Sequence, residues 1–321
     1  MKSNKNVFSR IGFSLVAIQA MSVVIGVILG VIMAFIPGMT EMVEENSTIS
    51  MLLSYVPMYV IIYPIGFFIL RKLPIHRQEP VSYPVSKLVQ YALMCVPIMY
   101  LGNAIGSLLS GLLSGGKATN VVEEMITGNI GVEFIFFVLL APLFEEYLFR
   151  KLLIDRTVRF GEKTAVFFSA AMFGLFHGNL FQFFYTFGIG LVWAYLYVKT
   201  RKFSYVFCLH ALFNFIGGIV PSILLNILGE EGMSALENMD MAVLETMPHV
   251  IVIYGIYGLV MLVLVLAGAV ILFKNRKNFT FDEAERQEEN IITLKTICLN
   301  PGMIVFLALM LGVFAVMLFA V

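Results

Sequence analysis

VIVIYGIYGLVMLVLVLAGAVILF, residues 250–273, runs for 24 residues without a single Asp, Glu, Lys, Arg or His. As a helix it would be about 36 Å long, more than the roughly 30 Å of hydrocarbon in a bilayer. Hydrocarbon offers no partner to backbone N–H and C=O groups, so a lipid-embedded run must close its hydrogen bonds internally. Lys274, Arg276 and Lys277 follow and mark where it leaves the membrane. The same template recurs near 11–36, 51–70, 88–113, 131–150, 164–179, 181–198, 203–225 and 301–321, beside 249–273 itself. An all-α polytopic membrane bundle of eight or nine transmembrane helices is therefore expected. Of the 321 residues, 60% are hydrophobic and 13% charged, against about half and about one quarter in a soluble domain, which excludes a water-soluble enzyme. With 21 basic and 21 acidic residues the net charge is zero, so no basic field exists to hold nucleic acid.

Basic residues in alternate loops give the orientation, because Lys and Arg accumulate on the cytoplasmic side. With the N-terminus inside, every Lys and Arg except Lys117 lies in the cytoplasm, while Glu41, Glu44, Glu45 and Glu230, Glu231, Glu237, Asp240, Glu245 lie outside. Nine spans then place the C-terminus outside. Lys2, Lys5 and Arg10 before the first run resemble a signal peptide, but the run is too long and no clear small-residue cleavage site follows, so it should remain. One domain, 1–321, is expected, with a core at about 131–225 flanked by 1–130 and 226–321. The polar stretch 274–295 reads as a solvated linker. No internal repeat points to a transporter built from inverted halves. Cys95, Cys208 and Cys298 lack disulfide or thiolate-metal spacing and read as small buried hydrophobes.

Ionisable groups inside apolar spans cost at least a few kcal/mol each and are functional candidates by default. They concentrate in one third of this chain. APLFEEYLFR, residues 141–150, carries Glu145, Glu146 and Arg150. Glu146 and Arg150 are four apart and share a helix face, so they can pair; Glu145 points about 100° away and has no local counterion. His177 is the strongly polar residue of the fifth span, with Phe173 one turn earlier. His210 and Asn214 are again four apart in the seventh. Each feature has a structural alternative: an ion pair, a histidine donating to a carbonyl, an amide joining two helices. Depth favours convergence, since Gly161 lies 16 residues from both Glu145 and His177. The turn around His177, Gly178 and Asn179 should then be buried beside a water-filled cavity.

A carboxylate, two imidazoles and a carboxamide around water suffice for amide hydrolysis without a Ser or Cys nucleophile. Glu145 could take a proton from water oriented by His177, while His210 and Asn214 donate to the developing oxyanion. Cys208 is a poor nucleophile candidate, because two residues along a helix turn it away from His210. Glu145, His177 and His210 could alternatively hold zinc with an open position for water, although the HExxH spacing is absent.

In order, EExxxR at Glu145, Glu146 and Arg150, FxxxH at Phe173 and His177, and HxxxN at His210 and Asn214 resemble the motifs of the CPBP or Abi family of intramembrane proteases, which includes the type II CAAX prenyl endopeptidases. The resemblance covers about 138–218. It implies peptide-bond cleavage at the membrane by the residues just named, without a cofactor in the preferred glutamate-protease form and with zinc in the alternative. It also implies a peptide or lipid-modified protein substrate in contact with membrane lipids, and residence in a bacterial cell membrane. Bacteriocin self-immunity is among the family's associated roles. A noncatalytic immunity or scaffold protein and a proton relay are the competing readings.

Overall fold

The computed structural model describes residues 2–76, 78–120, 129–282 and 293–319. Every regular element among them is helical. The principal helices are α1 Lys2–Phe35, α2 Ser47–Leu70 and α3 Val85–Ser114. They are followed by α4 over 130–157, α5 Glu162–Phe176, α6 Leu180–Thr200 and α7 Phe203–Gly229. The last two are α8 Pro248–Asn275 and α9 Pro301–Phe319. The acidic half of the linker expected over 274–295 lies outside the described residues, apart from Asp282.

A polytopic helical bundle is what the sequence predicts, but the number of spans is lower. Seven helices are long and apolar enough to cross a membrane among the described residues: α1, α2, α3, α6, α7, α8 and α9. The expected spans at 131–150 and 164–179 do not qualify. The first exists as α4 but carries Glu133, Glu145, Glu146 and Arg150. The second, α5, has only 15 residues, about 22 Å of helix, which falls short of the hydrocarbon thickness. α4 carries Glu145, Glu146 and Arg150 and turns Ile135, Leu139 and Leu143 outward, whereas α5, which leads into His177, is mostly buried.

One apolar core draws side chains from all nine helices. α6 lies against α5 on one side and α3 on the other, α3 carries α8, and α9 lies along α1. The α3–α6 and α1–α9 contacts rest on glycines. A methyl group on Gly102 or Gly106 would strike the backbone of Tyr185 or Leu180, and one on Gly302 the backbone of Ser9. Small residues four apart, as in GNAIG at 102–106, let helices approach this closely in lipid. Cys95 is buried as expected, but Cys208 is exposed on the bundle's outer side and Cys298 is only partly covered.

The basic loops meet at one end. His76 N–H donates to the Asp155 carbonyl, Val81 N–H to the Thr200 carbonyl, and Glu162 N–H to the Asp282 carbonyl. Lys199 reaches both Glu162 and Asp282, and Phe8 near the start of α1 packs against Phe160. The start of α1 and the segments after α2, α4, α6 and α8 are therefore neighbours.

Three helices widen into π turns, α2 at Met58–Ile62, α4 at Phe134–Leu140 and again at Tyr147–Ile154, and α7 at Phe215–Ile219. All but the one at Tyr147–Ile154 end two residues before a proline, respectively Pro64, Pro142 and Pro221. Proline has no N–H to give and its ring crowds the preceding turn, so the helix loosens ahead of it. Two of these turns shape the site.

Candidate active site

A cavity of about 520 Å³ opens within the bundle and is lined by Glu145, Phe173, His177, His210 and Asn214. Glu145 comes from α4, Phe173 from α5, His177 from the turn that ends α5, and His210 and Asn214 from α7. Four of the residues expected to act together thus line one cavity. Glu145 keeps 18% of its side chain exposed, whereas Glu146 and Arg150 have none, so solvent in the cavity reaches the first carboxylate and not the second.

The turn at His177 is built by its neighbours. Gly178 adopts φ 72°, a conformation that costs glycine little. Asn179 then caps α6, accepting from Gln182 N–H at 2.9 Å while its amide donates to the His177 carbonyl at 2.9 Å. The His177 ring is fixed through Nδ1, 2.8 Å from the Phe173 carbonyl. A carbonyl can only accept, so Nδ1 carries the proton and neutral His177 turns a bare Nε2 away from that bond. Phe173 packs edge-on to His177 and to His210, with ring centres 4.9 and 5.7 Å apart, and the Arg150 guanidinium sits 4.7 Å over its face.

Glu146 and Arg150 pair as their spacing predicts, at 2.9 Å. Arg150 also donates to Ser169 Oγ at 2.9 Å, and Ser169 donates to the Phe149 carbonyl at 2.7 Å. The pair does more than hold α4 to α5, because Glu146 Oε1 lies 2.9 Å from His210 Nδ1. On the other side of the ring, His210 Nε2 is 3.8 Å from Glu145 Oε2. His210 therefore stands between the two adjacent carboxylates of EExxxR.

Asn214 owes its place to a proline. In the π turn before Pro142 the backbone bonds run from residue i to i−5, as Ala141 N–H to the Phe136 carbonyl shows. The next bond would run from residue 142 to Phe137, but proline has no N–H. The Phe137 carbonyl instead accepts from Asn214 Nδ2 at 2.8 Å. One amide hydrogen of Asn214 is thereby used and the other is left for the cavity. Further along the α4–α7 seam, Ser222 donates to buried Glu133. This contact, the Asn214 bond and the His210–Glu146 bond form an antiparallel series of polar rungs.

Two features of the site escape a reading restricted to 131–225. Tyr55, Tyr59 and Tyr63 of α2 line the cavity in a stack with 6.4 and 6.0 Å between successive rings; their four-residue spacing on one face was the available signal. Met99 and Tyr100 of α3 also line the cavity, beside Gln182 and Tyr185 of α6, which do lie within 131–225. The flanking helices are thus part of the site. Among the described residues no group of three His, Cys, Asp or Glu side chains is arranged to hold a metal ion. The zinc alternative through Glu145, His177 and His210 has no preformed cage among them.

Residues 127–216 match the family model described as type II CAAX prenyl endopeptidase Rce1-like, a range that contains all three motifs. This segment is similar to that family. A membrane-embedded CAAX protease, MroQ, from Staphylococcus aureus (strain USA300) is 31% identical over 169 residues, 48% of this chain and 64% of the relative. The chain thus spans somewhat less than two thirds of that relative's length. No solved structure matches. Within the matched segment lie Glu145, Glu146, Arg150, Phe173, His177, His210 and Asn214; α1, α2, α3, α8 and α9 lie outside it.

Proposed function

We propose that this protein is an intramembrane endopeptidase that hydrolyses peptide bonds of membrane-associated or lipid-modified peptides. The presence of Glu145, His177, His210 and Asn214 in the lining of one cavity supports this reading. Glu145 takes the proton of a water molecule, and His177 holds that water through Nε2. The hydroxide oxygen bonds to the scissile carbonyl carbon, and the free Asn214 N–H, with His210, stabilises the oxyanion. The proton then passes to the departing nitrogen as the C–N bond breaks. The tyrosine-lined wall and the apolar helices around it suit a substrate that approaches from the bilayer. The positive-inside pattern puts the basic end in the cytoplasm, with the C-terminus outside, and the family likeness favours a bacterial cell membrane. The glutamate-protease form requires no cofactor.

Purified protein reconstituted in liposomes and its Glu145→Ala variant, each with lipidated and unlipidated membrane peptides, would test this. Cleavage by the wild type and loss of at least about 1,000-fold in the variant are expected. Equal cleavage by both would remove Glu145 from its role, and proton flux without cleavage would replace the reading by a relay.

A further inference from the structure

We propose that Glu146 is a positioning residue that fixes the proton of His210 on Nδ1, so that His210 faces the cavity with an unprotonated Nε2 and becomes an oxyanion donor only after receiving a proton during turnover. The hydrogen on Nδ1 follows from geometry, and the bare Nε2 is that of the neutral ring. The role of this tautomer in hydrolysis rests on the peptidase reading above.

Glu146 is fully buried and held by Arg150 at 2.9 Å, an arrangement that keeps it an ionised acceptor. An ionised carboxylate can only accept, so the 2.9 Å contact to His210 Nδ1 requires the hydrogen to sit on that nitrogen. The ring has little freedom to turn: Trp193 lies 4.8 Å from it, centre to centre, and Phe173 packs on it edge-on at 5.7 Å. Nε2 is therefore the atom left towards Glu145 Oε2, 3.8 Å away. In the neutral ring that atom bears a lone pair and cannot donate to an oxyanion.

The proton taken from water supplies what is missing. Water gives a proton to Glu145 and its oxygen bonds to the carbonyl carbon; the same proton moves on to His210 Nε2. The imidazolium now has N–H on both sides, Nδ1 towards Glu146 and Nε2 towards the oxyanion. Collapse of the tetrahedral intermediate returns the Nε2 proton to the leaving nitrogen, so protons and charge balance. Counted with both carboxylates ionised, Glu145, Glu146, Arg150 and a charged His210 sum to zero. Only the second glutamate of EExxxR can supply the Nδ1 contact, and this assigns it work beyond an ion pair.

The test is nitrogen NMR on protein with ¹⁵N-labelled histidine in nanodiscs. The His210 signals would be identified by subtracting the spectrum of His210→Gln. Wild type is expected to show a protonated Nδ1 and an unprotonated Nε2 at His210. Glu146→Gln, which keeps one acceptor oxygen, should retain that tautomer, whereas Glu146→Leu should shift it towards protonated Nε2. Turnover is expected to fall about tenfold in the Gln variant and more than about 100-fold in the Leu variant, a graded rescue that packing alone does not give. A wild-type His210 protonated on Nε2, or an unchanged tautomer in Glu146→Leu, would overturn the proposal. Should the Leu variant not fold, the wild-type spectrum by itself still decides. A correct tautomer in a protein that cuts no peptide would defeat the peptidase reading and leave the positioning role standing.

Discussion

The decisive residues work through what holds them. Asn214 is tied by one amide hydrogen to the Phe137 carbonyl, so its second hydrogen points where geometry, not chance, directs it. Asn214→Ala is expected to lower kcat by roughly 100- to 1,000-fold with little change in KM, as removal of an oxyanion donor does; steady-state cleavage kinetics measure this. Arg150 is a different case. It is buried with Glu146 and bridges to Ser169, so Arg150→Ala leaves a buried carboxylate short of a counterion and should destabilise the bundle by about 3–5 kcal/mol. Thermal unfolding in detergent reports that loss. The spacing of Glu146 and Arg150 was legible in the sequence, because four residues is one helical turn. Their link to His210 was not, since 64 residues separate Glu146 from its partner.

The elements place these residues by small departures from regular helix. Pro142 leaves the Phe137 carbonyl without a backbone donor, and Asn214 fills the gap. Pro142→Ala restores an N–H that competes for that carbonyl; cleavage is expected to fall about tenfold, the scale of one hydrogen bond, while helix content measured by circular dichroism is unchanged. The three prolines that follow π turns were visible in the sequence, but which carbonyl each frees depends on helical pitch. α5 shows the opposite effect of length. At 15 residues it is too short to count as a full span, and it lets the His177 turn lie inside the protein, where Gly178 and Asn179 are buried. A hydropathy window registers the apolar character of 164–179 and cannot register that the helix stops early.

In the whole molecule, outer helices shelter a polar inner group. α9 returns to α1 through Gly12 and Gly302, and Gly302→Leu is expected to pry the two apart, because the added side chain meets backbone rather than a side chain that can move. A lower unfolding temperature with unchanged insertion into membranes would show it. The gathering of basic loops at one end gives a test of orientation: a cysteine at Lys274 should react with a membrane-impermeant thiol reagent only in broken cells, and one at Lys117 in intact cells, in a background free of the natural cysteines. Metal dependence is separately measurable. Elemental analysis of purified protein should find no stoichiometric zinc, and chelation should leave cleavage intact; the reverse result would replace the glutamate mechanism by the metal one.

Composition and the spacing of apolar runs were enough to determine a helical membrane protein, because a bilayer allows a buried backbone few other solutions. The rarity of charge in lipid likewise singled out Glu145, Glu146, Arg150, His177, His210 and Asn214. Tertiary structure alone decided that α5 is a short buried element, that α2 and α3 help line the cavity, and that Glu146 grips His210. Periodicity fixes which face a residue occupies within its own helix. Which face meets which depends on close glycine contacts, proline-loosened turns and long-range hydrogen bonds, and these exist only once the helices have packed.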